Sequence, residues 1–381
     1  MDALIEEIRT QAPTFGGQPV ETLFIGGGTP SLMTPKDLVR LMEAIRRNFH
    51  VTSDAELTME ANPGTLTPEF LETMVRCGIN RLSLGLQSAD DRELKLLGRI
   101  HTFEQFCESF RLARAAGLEN INVDLMSALP GQTLSSWQHT LEAVLALEPE
   151  HISAYSLIIE EGTPFYEIYG DGGGSPPLPD EDTERQMYAW TKTALEARGY
   201  GRYEISNYAR PGRECRHNIG YWRRKNYLGL GLGAASLMDG RRFTNTRDME
   251  KYMTAYDPQA PTATFMCSGT AQLEEYMSAD DSQAAKNAVI PPGSVYEDEQ
   301  ILTTAEQMEE FMFLGLRLME GVCDTDFRSS FGVSMLDIYG EVIQKHCGEG
   351  LLYYIEEKGK LGLTEHGIDV SNYVLSDFLL D

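Results

Sequence analysis

The chain has 381 residues, enough for two or three domains, and its 42% apolar content is typical of packed globular protein. With 58 acidic against 32 basic residues, the net charge of −26 repels nucleic acid and anionic lipid and argues against binding to either. No apolar run of about 18 residues or more and no secretion-signal pattern is visible, so we expect no membrane span and a cytoplasmic location.

The chain opens with a helix-like stretch over residues 1–13 and then alternates two patterns up to residue 206. Short apolar runs predict strands at Thr22–Ile25, Glu56–Glu60, Arg81–Leu86, Ile121–Leu125, His151–Leu157 and Tyr203–Ile205. Amphipathic stretches predict helices at Pro35–Phe49, Pro68–Cys77, Phe103–Ala116, Leu134–Leu147 and Asp182–Arg198. Nearly continuous hydrophobic strands that alternate with helices are typical of a parallel sheet covered by helices, so the predicted class is α/β.

Polar and glycine-rich segments follow most of these strands, at the ends where parallel sheets place their ligands. These segments are Gly26–Pro30, Glu60–Pro63, Gln87–Ser88, Asp124 with Leu129–Gly131, and Ser156–Glu160. An open sheet concentrates its site at one switch point, whereas a barrel draws on most of its strands. The pattern therefore favours a complete or partial barrel. Because no strand precedes the first helix, the barrel would lack its first strand and expose an edge.

Two glycine clusters invite comparison with nucleotide-binding loops. Gly26–Gly28 lack the Lys-Ser/Thr of a P-loop, and Ser31 stands where G-x-G-x-x-G needs its third glycine. The segment "GLGLGAAS" at 229–236 is nearer to the dinucleotide fingerprint, but no strand-turn-helix pattern surrounds it. We interpret it as a close-packed loop and keep a nicotinamide-dependent oxidoreductase as a remote alternative.

Four side chains on the predicted rim, Glu60, Gln87, Arg99 and Asp124, are candidates for a ligand site. Taken singly, an acid at a strand end is more often a cap than a ligand. A carboxylate within a buried strand costs free energy without a partner, however. Their joint placement at one rim therefore predicts a cationic or hydrogen-bond-donating ligand.

The segment "CRHNIGYW" at 215–222 gathers His217 and aromatic side chains in a predicted loop. A lone histidine is more often a surface or core residue than a ligand, but a flat ligand with a metal centre needs an axial imidazole and stacking faces. The surrounding arginines either extend into solvent from a loop or form a clamp for a polycarboxylate such as a porphyrin propionate. They are Arg202, Arg210, Arg213, Arg216, Arg223 and Arg224.

Composition divides the chain into four predicted segments. Residues 1–206 form the barrel, and residues 207–256 form a connecting region rich in Gly, Arg and aromatic residues. Residues 257–300 are rich in Pro, Ser and Ala and predict a flexible insertion or linker. Residues 301–381 predict a small helical domain of winged-helix type, for which the acidic charge balance argues against DNA as the ligand.

Seven segments, taken in order, resemble the radical S-adenosylmethionine family of oxygen-independent coproporphyrinogen III oxidase-like proteins. They are "LFIGGGTPSLM", "TMEANPGTL", "NRLSLGLQSADDRELKLLGRIH", "INVDLMSALPGQT", "HISAYSLIIEEGTPF", "YEISNYARPGRECRHNIGYW" and "LTEHGIDVSN". The HNxxYW element and "YEISN" are similar to the haem-chaperone (HemW-like) branch more than to the true oxidases. The resemblance covers nearly the whole chain except residues 257–300.

The resemblance implies a partial (β/α)6 barrel with its site at the C-terminal rim and a small helical C-terminal domain. It implies that His217 ligates haem and that S-adenosylmethionine is contacted by Gly27, Gly28, Thr29, Glu60, Gln87, Arg99 and Asp124. The implied function is to bind haem and transfer it to haem-accepting proteins, a membrane-associated acceptor among them. The alternative is oxygen-independent coproporphyrinogen III oxidation in porphyrin biosynthesis.

One motif of the family is missing. The resemblance implies Cys-x-x-x-Cys-x-x-Cys after the first strand, holding a [4Fe–4S] cluster, and none of the six cysteines has that spacing. Because the first strand is missing too, we expect an internal start methionine or a deletion of about 30–50 residues, the size of one barrel strand and its loop. The oxidase reaction needs the cluster, so enzymatic activity stays open for this sequence.

Overall fold

The computed structural model describes residues 1–257 and 295–380 of the chain. The α-helices, α1 to α15 in chain order, are Asp2–Phe15, Pro35–Asn48, Pro68–Arg76, Asp91–Leu96, Phe103–Ala115, Leu134–Leu145, Pro164–Tyr169, Glu181–Glu196, Arg216–Trp222, Met249–Ala255, Thr304–Gly315, Asp324–Phe331, Met335–Gly348, Glu365–Asp369 and Ser371–Ser376. The strands, β1 to β13, are Pro19–Ile25, His50–Ala61, Arg81–Gln87, Ile121–Ser127, His151–Ser156, Gly201–Arg202, Asn207–Ala209, Ala235–Met238, Arg241–Asn245, Tyr296–Ile301, Val322–Cys323, Leu352–Ile355 and Lys360–Leu363.

Seven strands form one mostly parallel sheet in the order β1-β2-β3-β4-β5-β7-β6. Strands β2 to β5 pair in parallel, and helices on the connecting segments return the chain to the start of each next strand. The last two strands run antiparallel, because β7 pairs with β5 and β6 pairs with β7. The apolar side chains of β3 and β4 are buried, as expected for a sheet covered by helices. The predicted α/β class is confirmed.

The strand predicted at Tyr203–Ile205 is wrong. Two short strands, Gly201–Arg202 and Asn207–Ala209, flank a turn at this position. The Glu204 carboxylate accepts hydrogen bonds from the Ser206 backbone N–H (2.9 Å) and from the Asn207 side-chain amide (2.5 Å). These two bonds hold the chain in a turn, which local hydrophobicity does not reveal.

The described residues form two compact units. One consists of Thr22–Leu38 and Glu56–Arg216 and contains the carboxyl ends of the parallel strands. The other consists of Met1–Glu21, Val39–Ala55 and His217–Asp381 and contains α1, the part of α9 after Arg216, and the antiparallel sheet β10-β9-β8. The predicted boundaries at residues 206, 256 and 300 stay predictions.

The predicted insertion at 257–300 lies mostly outside the described residues. Its end is a strand instead of a linker, since Tyr296 pairs with Asn245 and Gln300 with Arg242 in the antiparallel β9–β10 ladder. The alternation that would mark this strand is weak, because Tyr296–Ile301 carry three acidic side chains and are only half-buried or exposed.

The C-terminal part has the predicted helices and hairpin. Helices α11 to α15 pack with the small sheet β11-β13-β12, in which β12 and β13 form a hairpin. Buried aromatic rings of Phe327, Tyr339 and Phe378 contact one another in its core. No helix within residues 1–257 or 295–380 is long and apolar enough to cross a membrane.

Candidate functional site

The glycine loop after β1 uses its glycines for two different reasons. Gly27 (φ 79°) and Gly28 (φ 57°) have left-handed backbone conformations that glycine adopts without strain. At Gly26, a Cβ atom would lie 2.9 Å from a Glu60 carboxylate oxygen, so that position has no room for a side chain. The Gly27 N–H donates to the same carboxylate over 3.1 Å. Thr29 belongs to the rim as well, because its hydroxyl accepts a hydrogen bond from the Asn62 amide.

Tyr155, near the end of β5, interacts with all four predicted rim side chains, with Gln87 through a hydrogen bond and with the other three through charge. The Tyr155 hydroxyl donates to the Gln87 side-chain oxygen over 3.0 Å. Burial raises the pKa of Tyr155 to about 12; the charges of Asp124 and Glu60 add to this rise, and that of Arg99 opposes it. The structure therefore brings Glu60, Gln87, Arg99 and Asp124 into one electrostatic neighbourhood.

The two carboxylates of this neighbourhood are costly to ionise. Burial is the largest cause that raises the pKa of Glu60, and the negative charge of Asp124 raises it further. Burial also raises the pKa of Asp124, against hydrogen bonds that favour its charged form. A ligand with positive charge stabilises both carboxylates, so this rim is suited to a cation.

A chain of hydrogen bonds below the rim ends on Asp124. The Asn122 amide nitrogen donates to one Asp124 oxygen (2.8 Å) and to Ser83 (2.7 Å), and the Ser83 hydroxyl donates to the other Asp124 oxygen (3.2 Å). The Asn122 oxygen is therefore left as an acceptor, and it lies 2.5 Å from Nδ1 of His151. Each member of the chain directs a donor toward Asp124.

This arrangement defines the protonation of His151. Burial and the Arg81 guanidinium hold the pKa of His151 well below its ordinary value, so its ring is neutral. Because Nδ1 donates to Asn122, Nε2 is the acceptor for the Tyr203 hydroxyl at 2.8 Å. The Tyr203 oxygen in turn accepts a bond from the Cys215 backbone N–H.

The sequence analysis missed Tyr155, Asn122 and His151. All three are polar residues within strands of the parallel sheet, and Asn122 and His151 are buried there. Asn122 and Asp124 are two residues apart in β4 and so point to the same face of the sheet. A polar residue two positions before a candidate ligand in a buried strand is the signal that would have identified Asn122.

The HNxxYW element is a helix, α9, and not the predicted loop. Nε2 of His217 lies 2.9 Å from the hydroxyl of Tyr221, one helical turn further on, and the two rings meet edge to face. The Tyr221 ring meets Tyr227 in the same manner, with centroids 4.6 Å apart. His217 therefore stands beside aromatic rings, as a ligand for a flat metal-centred molecule would.

The six arginines around this element lie in different surroundings, and a clamp for a polycarboxylate stays a prediction. Arg202 and Arg210 lie over the rings of Tyr188 and Tyr200. Two others are paired with acids, as the Arg223–Glu320 distance of 2.6 Å and the Arg224–Glu310 distance of 2.9 Å show. Four of the six guanidinium groups thus already have a partner within their own part of the chain.

The loop "GLGLGAAS" does not have the surroundings of a dinucleotide site. It leads into strand β8 rather than a helix, so no helix N-terminus follows it. Its backbone N–H groups at Gly229 and Gly231 donate to Ser236 and Glu7, respectively. The interpretation as a close-packed loop is supported over the nicotinamide alternative.

The side chains that the structure describes do not form a metal site. Among residues 1–257 and 295–380, no three His, Cys, Asp or Glu side chains are grouped as a metal ion would require. None of the cysteines in the described part of the chain is in a disulfide. These residues therefore do not fit a [4Fe–4S] cluster, whereas the glycine loop and the Glu60–Asp124 rim fit a cationic cofactor.

Comparisons with known proteins identify the family and the fold. Residues 2–144 match the model of the Radical SAM superfamily, and residues 302–370 match that of the HemN C-terminal domain. The fold is similar to coproporphyrinogen III oxidase (HemN) from Escherichia coli, described as a radical SAM enzyme. Its TM-score is 0.76 at 22% identity, over 99% of this chain and 82% of that one. The fold and the rim thus define a radical SAM protein with a partial barrel and a HemN-type C-terminal domain.

Two relatives are similar over the whole chain. The haem chaperone HemW of Lactococcus lactis is 34% identical over 381 residues, and that of Bacillus subtilis is 36% identical over 382 residues. In both cases the alignment covers 100% of this chain and 90% of the relative. The chain belongs to the HemW family within the radical SAM superfamily.

Proposed function

We propose that this protein binds haem and transfers it to haem-accepting proteins. The observation that carries the proposal is the similarity over the full chain to two proteins named as haem chaperones. The HNxxYW helix supports it, because His217 is only partly buried and lies beside the ring of Tyr221, which in turn meets the ring of Tyr227. The proposal includes a cytoplasmic location. It also includes haem-accepting proteins as partners, a membrane-associated acceptor among them.

We infer further that S-adenosylmethionine binds at the rim of the barrel. Gly27, Gly28 and Thr29 would hold its methionine end, because successive backbone N–H groups in a left-handed glycine turn form a concavity that binds anionic groups such as its carboxylate. Glu60 and Asp124 would face its positive charges, and Gln87 and Arg99 would contact its remaining polar groups. S-adenosylmethionine would supply a sulfonium cation to this acidic rim.

The likeness to coproporphyrinogen III oxidase concerns the fold alone, at 22% identity. No contact in the described residues favours a decarboxylation over haem binding. Coproporphyrinogen III oxidation is therefore the alternative function, and haem binding is the one that we propose.

The ligand role of His217 is tested by haem titration of the purified full chain. We expect His217→Ala to lose the Soret shift of the bound haem and to weaken affinity by at least about tenfold, because the axial iron bond is removed. His366→Ala is the matched control, since His366 is an exposed histidine on α14. A His217→Ala protein that titrates like the wild type would refute the assignment of the iron ligand.

A further inference from the structure

A cavity of about 610 Å³ in the unit that contains the C-terminal helices has no role in the function proposed above. It begins at Trp222, the last residue of α9, and continues along Phe311, Leu318 and Val322. Its volume is within the range of small-molecule sites. These four side chains give it aromatic and aliphatic walls that suit a flat apolar ligand.

The charge of this cavity is opposite to that of the chain as a whole. Five cationic residues line it, against two acidic ones, Glu320 and Asp326. The five are Arg223, Arg224, Lys225, Lys358 and Lys360. In a chain with a net charge of −26, a local excess of positive charge favours an anionic ligand.

The cationic groups differ in how firmly they are already paired. Arg224 and Glu310 form a mostly buried ion pair, which is part of the structure. The pairs of Arg223 with Glu320 and of Lys225 with Glu21 are exposed, and such pairs contribute little to stability. They can therefore exchange a protein carboxylate for one from a ligand.

Lys358 and Lys360 have no ion-pair partner in the part of the chain that the structure describes. They flank Gly359, whose left-handed φ of 56° closes the turn before β13, and both side chains line the cavity. Because no described carboxylate pairs with either ammonium group, both add positive charge to the cavity wall and favour an anionic ligand. A ligand with two carboxylates would neutralise both.

The indole of Trp222 also lacks a partner. Its nitrogen is buried and makes no hydrogen bond within residues 1–257 or 295–380. The Arg317 guanidinium lies over its ring at 4.5 Å and holds the indole in position. Buried N–H groups are almost always hydrogen-bonded, so an acceptor oxygen from a ligand is expected beside this one.

We propose that this cavity binds the propionate carboxylates of a porphyrin. This binding does not require the porphyrin to contain iron. The inference rests on the proposed haem-binding function. It adds carboxylate recognition, at the turn before β13, to the iron ligation proposed for α9. His217 and Trp222 are five residues apart on α9 and therefore project from different sides of the helix. Carboxylate recognition by Lys358 and Lys360 is accordingly separable from iron ligation by His217.

The experiment uses iron-free protoporphyrin IX and its dimethyl ester, which cannot offer carboxylates. Both are titrated into the full chain and followed by porphyrin fluorescence anisotropy. The test variant is Lys358→Glu with Lys360→Glu. The control is Lys36→Glu with Lys251→Glu, which changes the net charge equally at two exposed lysines outside the cavity.

We expect the wild type to bind the free acid more tightly than the ester and to lose this preference as salt is added. The test variant should bind the acid at least about tenfold more weakly than the control does. Trp222→Phe keeps the aromatic wall but removes the N–H donor, and we expect a severalfold loss for the acid and none for the ester. His217→Ala should bind protoporphyrin IX like the wild type.

Equal affinities of the wild type for acid and ester would overturn the inference, as would equal losses in the test variant and its control. These outcomes are distinct from failure of the proposed function. If haem binds in a His217-dependent manner and protoporphyrin IX does not bind, the cavity assignment alone is wrong. If protoporphyrin IX binds as expected and His217→Ala leaves haem titration unchanged, the iron-ligand assignment alone is wrong.

Discussion

Asp124 is the residue whose charge state the surrounding side chains control most closely. Burial raises its pKa, while bonds from Asn122 and Ser83 favour its ionised form. If the cationic cofactor binds the carboxylate form, its affinity rises as the pH rises through this raised pKa. We expect Asn122→Leu, which removes a donor at similar volume, to move this rise to higher pH. The dissociation constant of S-adenosylmethionine, measured by calorimetry across the acid-to-neutral range, tests the shift.

Two further variants separate positioning from folding in this experiment. Ser83→Ala removes the longer bond to Asp124 together with the bond that Ser83 accepts from Asn122, but it leaves the Asn122–Asp124 bond in place and should produce a smaller shift in the same direction. Asp124→Asn cannot titrate, so the part of the pH dependence due to this residue should vanish. An Asn122→Leu protein with the pH profile of the wild type and merely lower stability would show that Asn122 has a structural role only.

The limits of sequence reasoning at this site are visible in individual residues. Glu60, Gln87 and Asp124 could be proposed as rim residues because each lies at or near the end of a predicted strand whose apolar pattern is plain, whereas Arg99 lies in the loop after helix α4. Tyr155 could not, since its role depends on the approach of the Gln87 side chain from a strand 68 residues away in sequence. Such cross-strand contacts arise from register, which composition and periodicity do not specify.

At the scale of single elements, helix α1 is held by one buried carboxylate. Glu7 accepts bonds from the Tyr252 hydroxyl (2.6 Å), the Asn245 amide (2.5 Å) and the Gly231 N–H (2.8 Å). We expect Glu7→Ala to lower the free energy of unfolding by roughly 2 to 5 kcal/mol, because three buried donors lose their acceptor. Urea denaturation measures this loss, and Glu6→Ala, on the exposed side of α1, should change stability by less than about 0.5 kcal/mol.

The same carboxylate predicts a pH dependence. Burial raises the pKa of Glu7, so its protonated form is favoured in the folded chain more than in the unfolded one. Its stabilising contribution is fully present below the ordinary glutamate pKa and declines as the pH rises through the raised value. The stability difference between wild type and Glu7→Ala should therefore shrink with increasing pH, and a difference that grows instead would contradict this assignment.

The elements themselves were predictable to different degrees. Helices with clear caps agree closely: Phe103–Ala115 begins at a capping box formed by Thr102 and Gln105, and the predicted range was 103–116. Helix α9 was not predicted, because a seven-residue segment with glycine and aromatic residues has little helical signal of its own. Its start is held by tertiary contacts instead, since the Arg216 N–H donates to Glu56.

At the scale of the whole molecule, the acidic charge balance is the dominant electrostatic property. Many of the ion pairs in the described residues are exposed pairs three or four residues apart in helices, such as Arg47 with Glu43 and Arg185 with Glu181. These pairs contribute little, and 58 acidic residues against 32 basic ones leave a large excess of like charge. The folded chain is compact and therefore concentrates this repulsion more than the unfolded chain does.

Screening of that repulsion should stabilise the fold. Raising sodium chloride from about 20 to about 200 mM shortens the screening length to below roughly 10 Å, so we expect the midpoint of thermal unfolding to rise by a few degrees. Potassium chloride should act alike, because the effect depends on ionic strength. The Lys36→Glu, Lys251→Glu variant has a more negative charge and should respond more steeply than the wild type. A midpoint that falls with salt would mean that attractive ion pairs outweigh the net repulsion.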